Sequence, residues 1–450
     1  MTIAALIEKY DLRVPRYTSY PTAAQFTPAV TGADYAAWLA ALPETAPVSL
    51  YLHVPFCEQL CLYCGCNTAV VRREDLRRAY GEILCQEIRM VAAHARRRLT
   101  VTEIHWGGGT PTALPAESLA AIGQTLRETF TMAEPAQLSV EFDPRHVPDD
   151  ALAALHAMGL NRASLGVQDF DATVQDAVGR VQPFEMVQSL VQRLRALGVT
   201  SINLDLMYGL PYQTEASVRR SAALAASLDP ERLCAFGYAH VPWMKRHQQL
   251  LPEHALPDPP TRFAQRQAIE QTLVAAGYVA IGLDHFAKPT DSMAEACRDN
   301  TLHRNFQGYT TDAAPVLIGV GASAIGTTPS GYVQNATATA DYLAAIRAGR
   351  FATARGVALT KDDRLRRQVI EQILCSGTVD LAGVASQFGV DPHPLLDDAE
   401  ALLPLAQDGL VRVEGSAVQV TEAGRPFIRC VAAAFDAYWD QAATRHARAI

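Results

Sequence analysis

From residue 48 onward, short apolar runs rich in β-branched residues alternate with longer stretches in which apolar positions recur at helical spacing. The short runs predict strands at Val48–Val54, Thr102–Trp106, Leu138–Phe142, Arg162–Val167, Ser201–Met207 and Leu233–Ala239. The longer ones predict helices over Leu76–Arg97, Ala116–Phe130, Asp150–Met158, Pro183–Leu197, Glu215–Leu228 and Thr261–Ala276. Such repetition implies parallel βαβ units, and six of them suit a barrel or partial barrel better than a short open sheet. Polar residues gather where these strands end: Gly107–Gly109 after the second, Glu141 and Asp143 at the third, Gln168 and Asp169 at the fourth. Asp205 lies in the fifth, and Ala239 and His240 close the sixth. In parallel sheets the loops beyond that edge carry the chemistry, because the strands fix their positions.

The flanks break this pattern. Residues 1–47 are rich in proline and tyrosine and read as an extended arm; past residue 360 the alternation stops. Asp362–Leu374, Val384–Phe388 and Leu395–Gln407 then read as helical, Gly409–Val413 with Ala417–Thr421 as a hairpin, and Gly424–Trp439 as a last helix. The predicted organisation is an arm over 1–47, an α/β unit with an extension over 48–360, and a mostly helical, winged-helix-like unit over 361–450. A winged helix can bind DNA, but a formal net charge of −8 favours a lid or packing role instead and argues against nucleic-acid partners. No apolar run reaches membrane-spanning length, and charge enters too early for a signal peptide, so a cytoplasmic protein is expected.

Four of the nine cysteines fall within residues 57–66. Cys57, Cys61 and Cys64 have the spacing C-x3-C-x2-C. Three thiolates can each hold one iron of a four-iron cluster, whereas full ligation needs four, so one iron is left for a ligand that is not protein. A zinc site would repeat the cysteine pair or add a histidine pair nearby, and the ferredoxin spacings differ from this one. The pattern resembles the radical S-adenosylmethionine (SAM) superfamily. That resemblance implies a [4Fe-4S] cluster whose open iron binds SAM, and cleavage of SAM to methionine and a 5′-deoxyadenosyl radical. The glycine run alone could be a tight turn; after a second strand it resembles the motif that meets the amino group of SAM. Glu141, Gln168, Arg180 and Asp205 are polar residues on or after apolar strands, and such groups are either paired or functional. Carboxylates suit ribose hydroxyls or an amino group, and an arginine suits a carboxylate. A structural ion pair of Arg180 with Asp205 or Glu141 is the alternative.

Longer stretches carry a closer resemblance: Pro15–Thr22, His53–Cys57, Cys64–Cys66, His105–Thr112, Gly166–Phe170, Tyr208–Pro211, Asp284–Ala287 and His303–Thr311. Over nearly its whole length the chain resembles the oxygen-independent coproporphyrinogen III oxidase family. The resemblance implies an α/β fold, a partial (β/α)6 barrel with a C-terminal helical domain. It also implies an oxidoreductase of haem biosynthesis that converts two propionates of coproporphyrinogen III to vinyls, using two SAM molecules. Carried over by motif position, one SAM site takes Tyr51, Gly108, Glu141, Ala239 and Ile325. The other takes Tyr63, Gly109, Thr110, Gln168, Arg180 and Asp205. Tyr51, Cys66 and Gln307 lie nearest the reaction, with Cys66 close to the cluster but holding no iron. A reduced flavodoxin- or ferredoxin-type donor and a monomeric state are implied as well. Leu62 departs from the aromatic pair common before the third cysteine, and a local packing change is expected there. The arm bearing Arg16 and Tyr17 is expected to close over the site, with Arg16 able to pair with a propionate. Related haem-binding chaperones are the alternative; they tend to have phenylalanine at the position of Cys66 and lack the His303–Thr311 block.

Overall fold

The computed structural model describes residues 2–440. Its main sheet contains β1 (Val48–Val54), β2 (Thr100–Gly108), β3 (Thr131–Phe142), β4 (Arg162–Gln168), β5 (Ser201–Tyr208) and β6 (Arg232–Gly237). It continues with β7 (Val279–Ile281), β8 (His285–Ala287), β9 (Val316–Val320), β10 (Ile325–Thr328), β11 (Gly331–Asn335) and β12 (Thr353–Ala358). The order across the sheet is β12-β11-β10-β9-β1-β2-β3-β4-β5-β6-β8-β7, and the two ends do not pair. The strands from β9 through β1 to β6 run parallel; the outer strands on both sides are antiparallel. The result is a barrel that stays open.

The six predicted strands and the helices between them are present, with ends displaced by a few residues; β3 begins seven residues before its predicted start, at Thr131. Their sequence explains them. Leu50, Leu52, Trp106, Val140, Leu165 and Leu204 are almost fully buried between barrel and helix layers, each contributing about 1.5–3 kcal/mol of transfer free energy. Turn chemistry ends the elements: Gly159, at φ 101°, caps the helix Asp149–Met158, and a reciprocal Thr214–Ser217 capping box starts the helix Glu215–Ser227.

Four expectations are corrected. A seventh parallel strand, β9, lies on the far side of β1, with Tyr51 opposite Gly319 on one edge and His105 on the other. The stretch before residue 48 is not simply extended: Ile3–Tyr10 and Gly32–Ala40 are helical. The last predicted helix, Gly424–Trp439, is a 3-10 turn at Arg425–Phe427 and a short helix at Ile428–Ala433. Leu395–Gln407 is likewise broken into His393–Ala399, a 3-10 turn and Leu403–Gln407, with Pro404 in the first turn of the last piece.

The C-terminal region has the order helix (Lys361–Ser376), strand (Thr378–Asp380), three short helices (Leu381–Gln387, His393–Ala399 and Leu403–Gln407) and a hairpin, whose strands join the first in a three-stranded sheet. Its core contains Val369, Ile373, Leu381, Leu402 and Phe427, together with Leu6, Tyr10, Val14, Tyr17 and Tyr20 from the chain's start. Among the described residues no helix is long and apolar enough to cross a membrane.

Candidate active site

The C-terminal edge of the barrel strands surrounds a cavity of about 330 Å³. Its wall brings together Cys57, Cys61, Cys64 and Cys66 with Gly108, Gly109 and Thr110. Glu141, Gln168, Arg180, Asp205, Tyr63 and Gln307 complete the predicted set on that wall. Three predicted residues lie elsewhere. Tyr51 stands behind the wall, its hydroxyl 2.9 Å from His53 Nδ1 and its ring stacked on His105. Ile325 packs beside Phe26 and Tyr332. Ala239 lies past the end of β6 and lines a neighbouring chamber.

The glycine run works first as a close-packing device. A Cβ at Gly107 would fall 2.6 Å from the Glu141 carboxylate, one at Gly108 would meet the His53 ring at 2.6 Å, and one at Gly109 would lie 2.6 Å from the Phe56 carbonyl. Gly108 also has φ 112°, open to glycine and strained for other residues. Gly108 N–H donates to Glu141 (3.1 Å), Gly109 N–H to the Val54 carbonyl (2.8 Å) and Thr110 N–H to the Phe56 carbonyl (2.7 Å). These three donors tie the end of β2 to β3, to β1 and to the start of the cysteine loop, so what the run presents to a ligand is carbonyl oxygen, which suits an ammonium group.

The cysteine loop is held from two further sides. On one, Cys61 Sγ accepts from Arg145 (3.2 Å) and Arg180 (3.4 Å). Both guanidinium groups pair with Asp143, at 2.6 and 3.2 Å. Burial opposes the charge on Asp143, but the two arginines outweigh it and hold its pKa down to about 2. Arg180 therefore pairs with Asp143, and neither Asp205 nor Glu141 is its partner. Its second amino group donates to the Gly166 carbonyl at 2.6 Å, while its Nε is buried with no hydrogen-bond partner among the described residues. On the other side, the segment after β6 reaches back. Lys245 donates to the Cys66 carbonyl (2.8 Å), His247 to that of Cys64 (2.7 Å) and Gln248 to that of Tyr63 (3.0 Å).

The polar residues differ in charge state. Burial opposes ionisation of Glu141, but His105, 3.0 Å away, and the Gly108 N–H keep its pKa below the ordinary value. Asp205 accepts from Ser164 and Asn203; burial dominates, and its pKa rises to about 6. Gln168 ends β4 after a register shift and sits at φ 68°, an uncommon conformation that turns the chain at the cavity rim.

The donor set fits an iron–sulfur cluster. Arg145, Arg180 and Thr110 all direct donors at cysteine sulfur, which favours the thiolate. A hydrogen bond from Cys66 is the main reason the Cys64 pKa falls to about 6, whereas burial pushes Cys57 up to about 11; a bound cation would reverse the latter. Among the described residues no three His, Cys, Asp or Glu side chains converge as they would on a single ion. A cluster instead asks for thiolates each on a different iron.

Sequence reasoning missed Arg145, His105 and the Lys245–Gln248 clamp. Arg145 had a signal, an arginine two residues beyond an acidic strand end; the clamp had none, since its contacts are to backbone carbonyls of a loop 179 to 185 residues away.

A family model described as the radical SAM superfamily matches residues 51–225, and one described as the HemN C-terminal domain matches residues 359–427. The chain is similar to the oxygen-independent coproporphyrinogen III oxidase of Bradyrhizobium diazoefficiens, at 50% identity over 97% of this chain and 97% of that protein. It is similar to the protein of the same name in Paracoccus denitrificans at 43% identity, over 98% and 97%. Among solved structures, coproporphyrinogen III oxidase (HemN) from Escherichia coli, described as a radical SAM enzyme, aligns with a TM-score of 0.91 and 40% identity, over 97% of this chain and 99% of that one.

Proposed function

We propose a working site from one premise: the chain belongs to the oxygen-independent coproporphyrinogen III oxidase family, within the radical SAM superfamily. It is an oxidoreductase of haem biosynthesis that uses a [4Fe-4S] cluster and SAM to convert propionate side chains of coproporphyrinogen III to vinyls. The observation that carries this reading is the meeting of the C-x3-C-x2-C thiols, the glycine run and the polar strand ends on one cavity wall.

Cys57, Cys61 and Cys64 hold the cluster. When bound, the cluster and SAM supply a radical able to take hydrogen from an unactivated propionate carbon, a step beyond the reach of a side-chain base. The protein's part is positioning and the exclusion of water. Arg145 and Arg180 stabilise negative charge on the Cys61 sulfur. Glu141, ionised against His105, and the carbonyls of the glycine run hold the amino group of one SAM; Tyr51, Ala239 and Ile325 support that site from behind and beside it. Tyr63, Gly109, Thr110, Gln168, Asp205 and the unsatisfied Nε of Arg180 serve a second SAM. Cys66, hydrogen-bonded to Cys64, keeps a thiol at the reaction side without holding iron, and Gln307 reaches in from the His303–Thr310 hairpin.

The same reading divides the chain into an arm (1–47), a catalytic unit (48–360) and a C-terminal unit (361–450). It makes the protein a cytoplasmic monomer without nucleic-acid partners, fed by a reduced flavodoxin- or ferredoxin-type donor. The test is anaerobic: reconstituted protein, SAM, reductant, coproporphyrinogen III and a cell extract as electron acceptor, with tetrapyrroles followed by mass. Stepwise loss of two CO2 with 5′-deoxyadenosine formed supports it. Stoichiometric haem binding with SAM cleaved but no decarboxylation would move the assignment to a haem chaperone.

A further inference from the structure

Beside the cluster cavity, and sharing Phe236 with it, lies a second chamber of about 280 Å³. Six arginines line it: Arg13 and Arg16 from the arm, Arg262 and Arg266 from the helix Pro259–Ala275, Arg304 from the hairpin, and Arg429 from the C-terminal unit. Among the described residues the lining includes a single carboxylate, Asp284, and that group is engaged by His285 at 2.7 Å. Like charges gathered in a half-enclosed space repel one another unless an anion joins them.

Two observations point to a ligand. Among the described residues Arg262 Nε and Arg304 Nη1 are both buried without a hydrogen-bond partner, and unmade bonds of this kind oppose folding unless something supplies an acceptor. Arg304 is also held in place. It lies over the Tyr309 ring at 4.5 Å and donates to the carbonyls of Arg16 and Tyr17, while Arg16 donates to that of Gly237. Burial and the nearby Arg16 together pull the Arg429 pKa down to about 10.

We propose that this chamber is the subsite for the substrate carboxylates that do not react. The inference rests on the proposed function, because a tetrapropionate undergoing two decarboxylations must be held by propionates that survive. Guanidinium forks bind carboxylates bidentately. Free phosphate could use the same donors, but the chamber is also walled by Tyr208, Phe236 and Trp243, apolar surface that suits the edge of a tetrapyrrole and not a small inorganic anion.

The test measures anaerobic equilibrium binding of coproporphyrinogen III and of its uncharged tetramethyl ester to the cluster-loaded protein with SAM. It compares wild type with Arg262→Gln, Arg262→Lys and Arg304→Gln, and competes each with inorganic phosphate. Either glutamine variant is expected to weaken binding of the acid by about tenfold or more and to leave ester binding unchanged. KM should rise further than kcat falls, cluster content and SAM binding should stay at wild-type levels, and Arg262→Lys should fall between the two. Phosphate should compete weakly with the acid. Unchanged affinity in both glutamine variants, or equal wild-type affinity for acid and ester, overturns the subsite while wild-type decarboxylation proceeds. Phosphate that binds in an Arg262-dependent way without displacing the acid assigns the chamber to a free anion and also overturns it. If wild type binds but does not decarboxylate, the proposed function fails instead.

Discussion

Cys61 receives two guanidinium donors, Cys57 a hydroxyl and Cys64 a neighbouring thiol, so the four cysteines of one loop are chemically unequal. Serine at Cys57, Cys61 or Cys64 is expected to abolish cluster incorporation, read as the loss of iron and of visible absorbance. Serine at Cys66 should retain both and impair turnover; loss of iron in that variant would make Cys66 a ligand. The motif was legible because a cluster needs thiolates within a short loop. The Asp143–Arg145–Arg180 group was not: Asp205 and Glu141 were the expected partners of Arg180, and spacing along the chain does not tell which carboxylate a strand end brings to it. A second residue-scale expectation concerns Asp284. Burial opposes its ionisation, but the bond to His285 and the charges of Arg304 and Arg16 hold its pKa down to about 2, from an ordinary 3.8. A depressed carboxylate pKa stabilises the fold above the unfolded-state value, and that stability is lost as pH falls through the folded one. Asp284→Asn should therefore destabilise the protein by about 2 kcal/mol at neutral pH. The gap to wild type in urea midpoint should close between pH 4 and pH 2; a gap independent of pH would refute the electrostatic account.

Among the elements, the parallel strands were legible because burial on both faces writes near-continuous apolar runs. β9 has such a run, Val316–Val320, but it follows short strands and a seven-residue helix, Ser292–Arg298, so no strand–helix rhythm announced it. The glycine run was legible as a motif, though its tight internal packing was not. That packing makes Gly109→Ala informative. The added Cβ meets the Phe56 carbonyl at 2.6 Å and Cys57 Sγ at 3.0 Å, and backbone cannot yield cheaply. The expected cost is about 1–3 kcal/mol, with cluster content falling well before helix content by circular dichroism. Simultaneous loss of both would make the glycine a general folding requirement. Gln248→Ala removes side-chain bonds to the Tyr63 and Ala239 carbonyls and to the Val241 N–H. Iron release to a chelator should quicken by about fivefold or more if those bonds are worth about 1 kcal/mol or more together, with thermal stability little changed.

Across the whole molecule, the chain's start is packed into the C-terminal unit. Tyr10, Tyr17 and Tyr20 are buried in the C-terminal core, with Tyr10 edge-on to Phe427 at 5.9 Å and the Tyr20 hydroxyl accepting from the Ala437 N–H. Tyr17 adopts φ 48°, rare for an aromatic residue. That turn leaves the carbonyls of Arg16 and Tyr17 on Arg304, between the C-terminal unit and the barrel. Arm, hairpin and C-terminal unit are thus joined around the arginine chamber, a long-range arrangement that no local pattern could announce. A simple lid could be removed without harm to the fold, whereas this arm should not be separable. Deleting residues 2–21 takes five side chains out of the C-terminal core. Tyr20→Ala alone should cost about 3–5 kcal/mol, as for other buried aromatic residues. The deleted protein should expose residues 359–427 to limited proteolysis while the barrel keeps its cluster. If that region stays protected and only KM for coproporphyrinogen III rises, the arm is a lid after all, and its burial in the C-terminal core contributes little to holding that unit together.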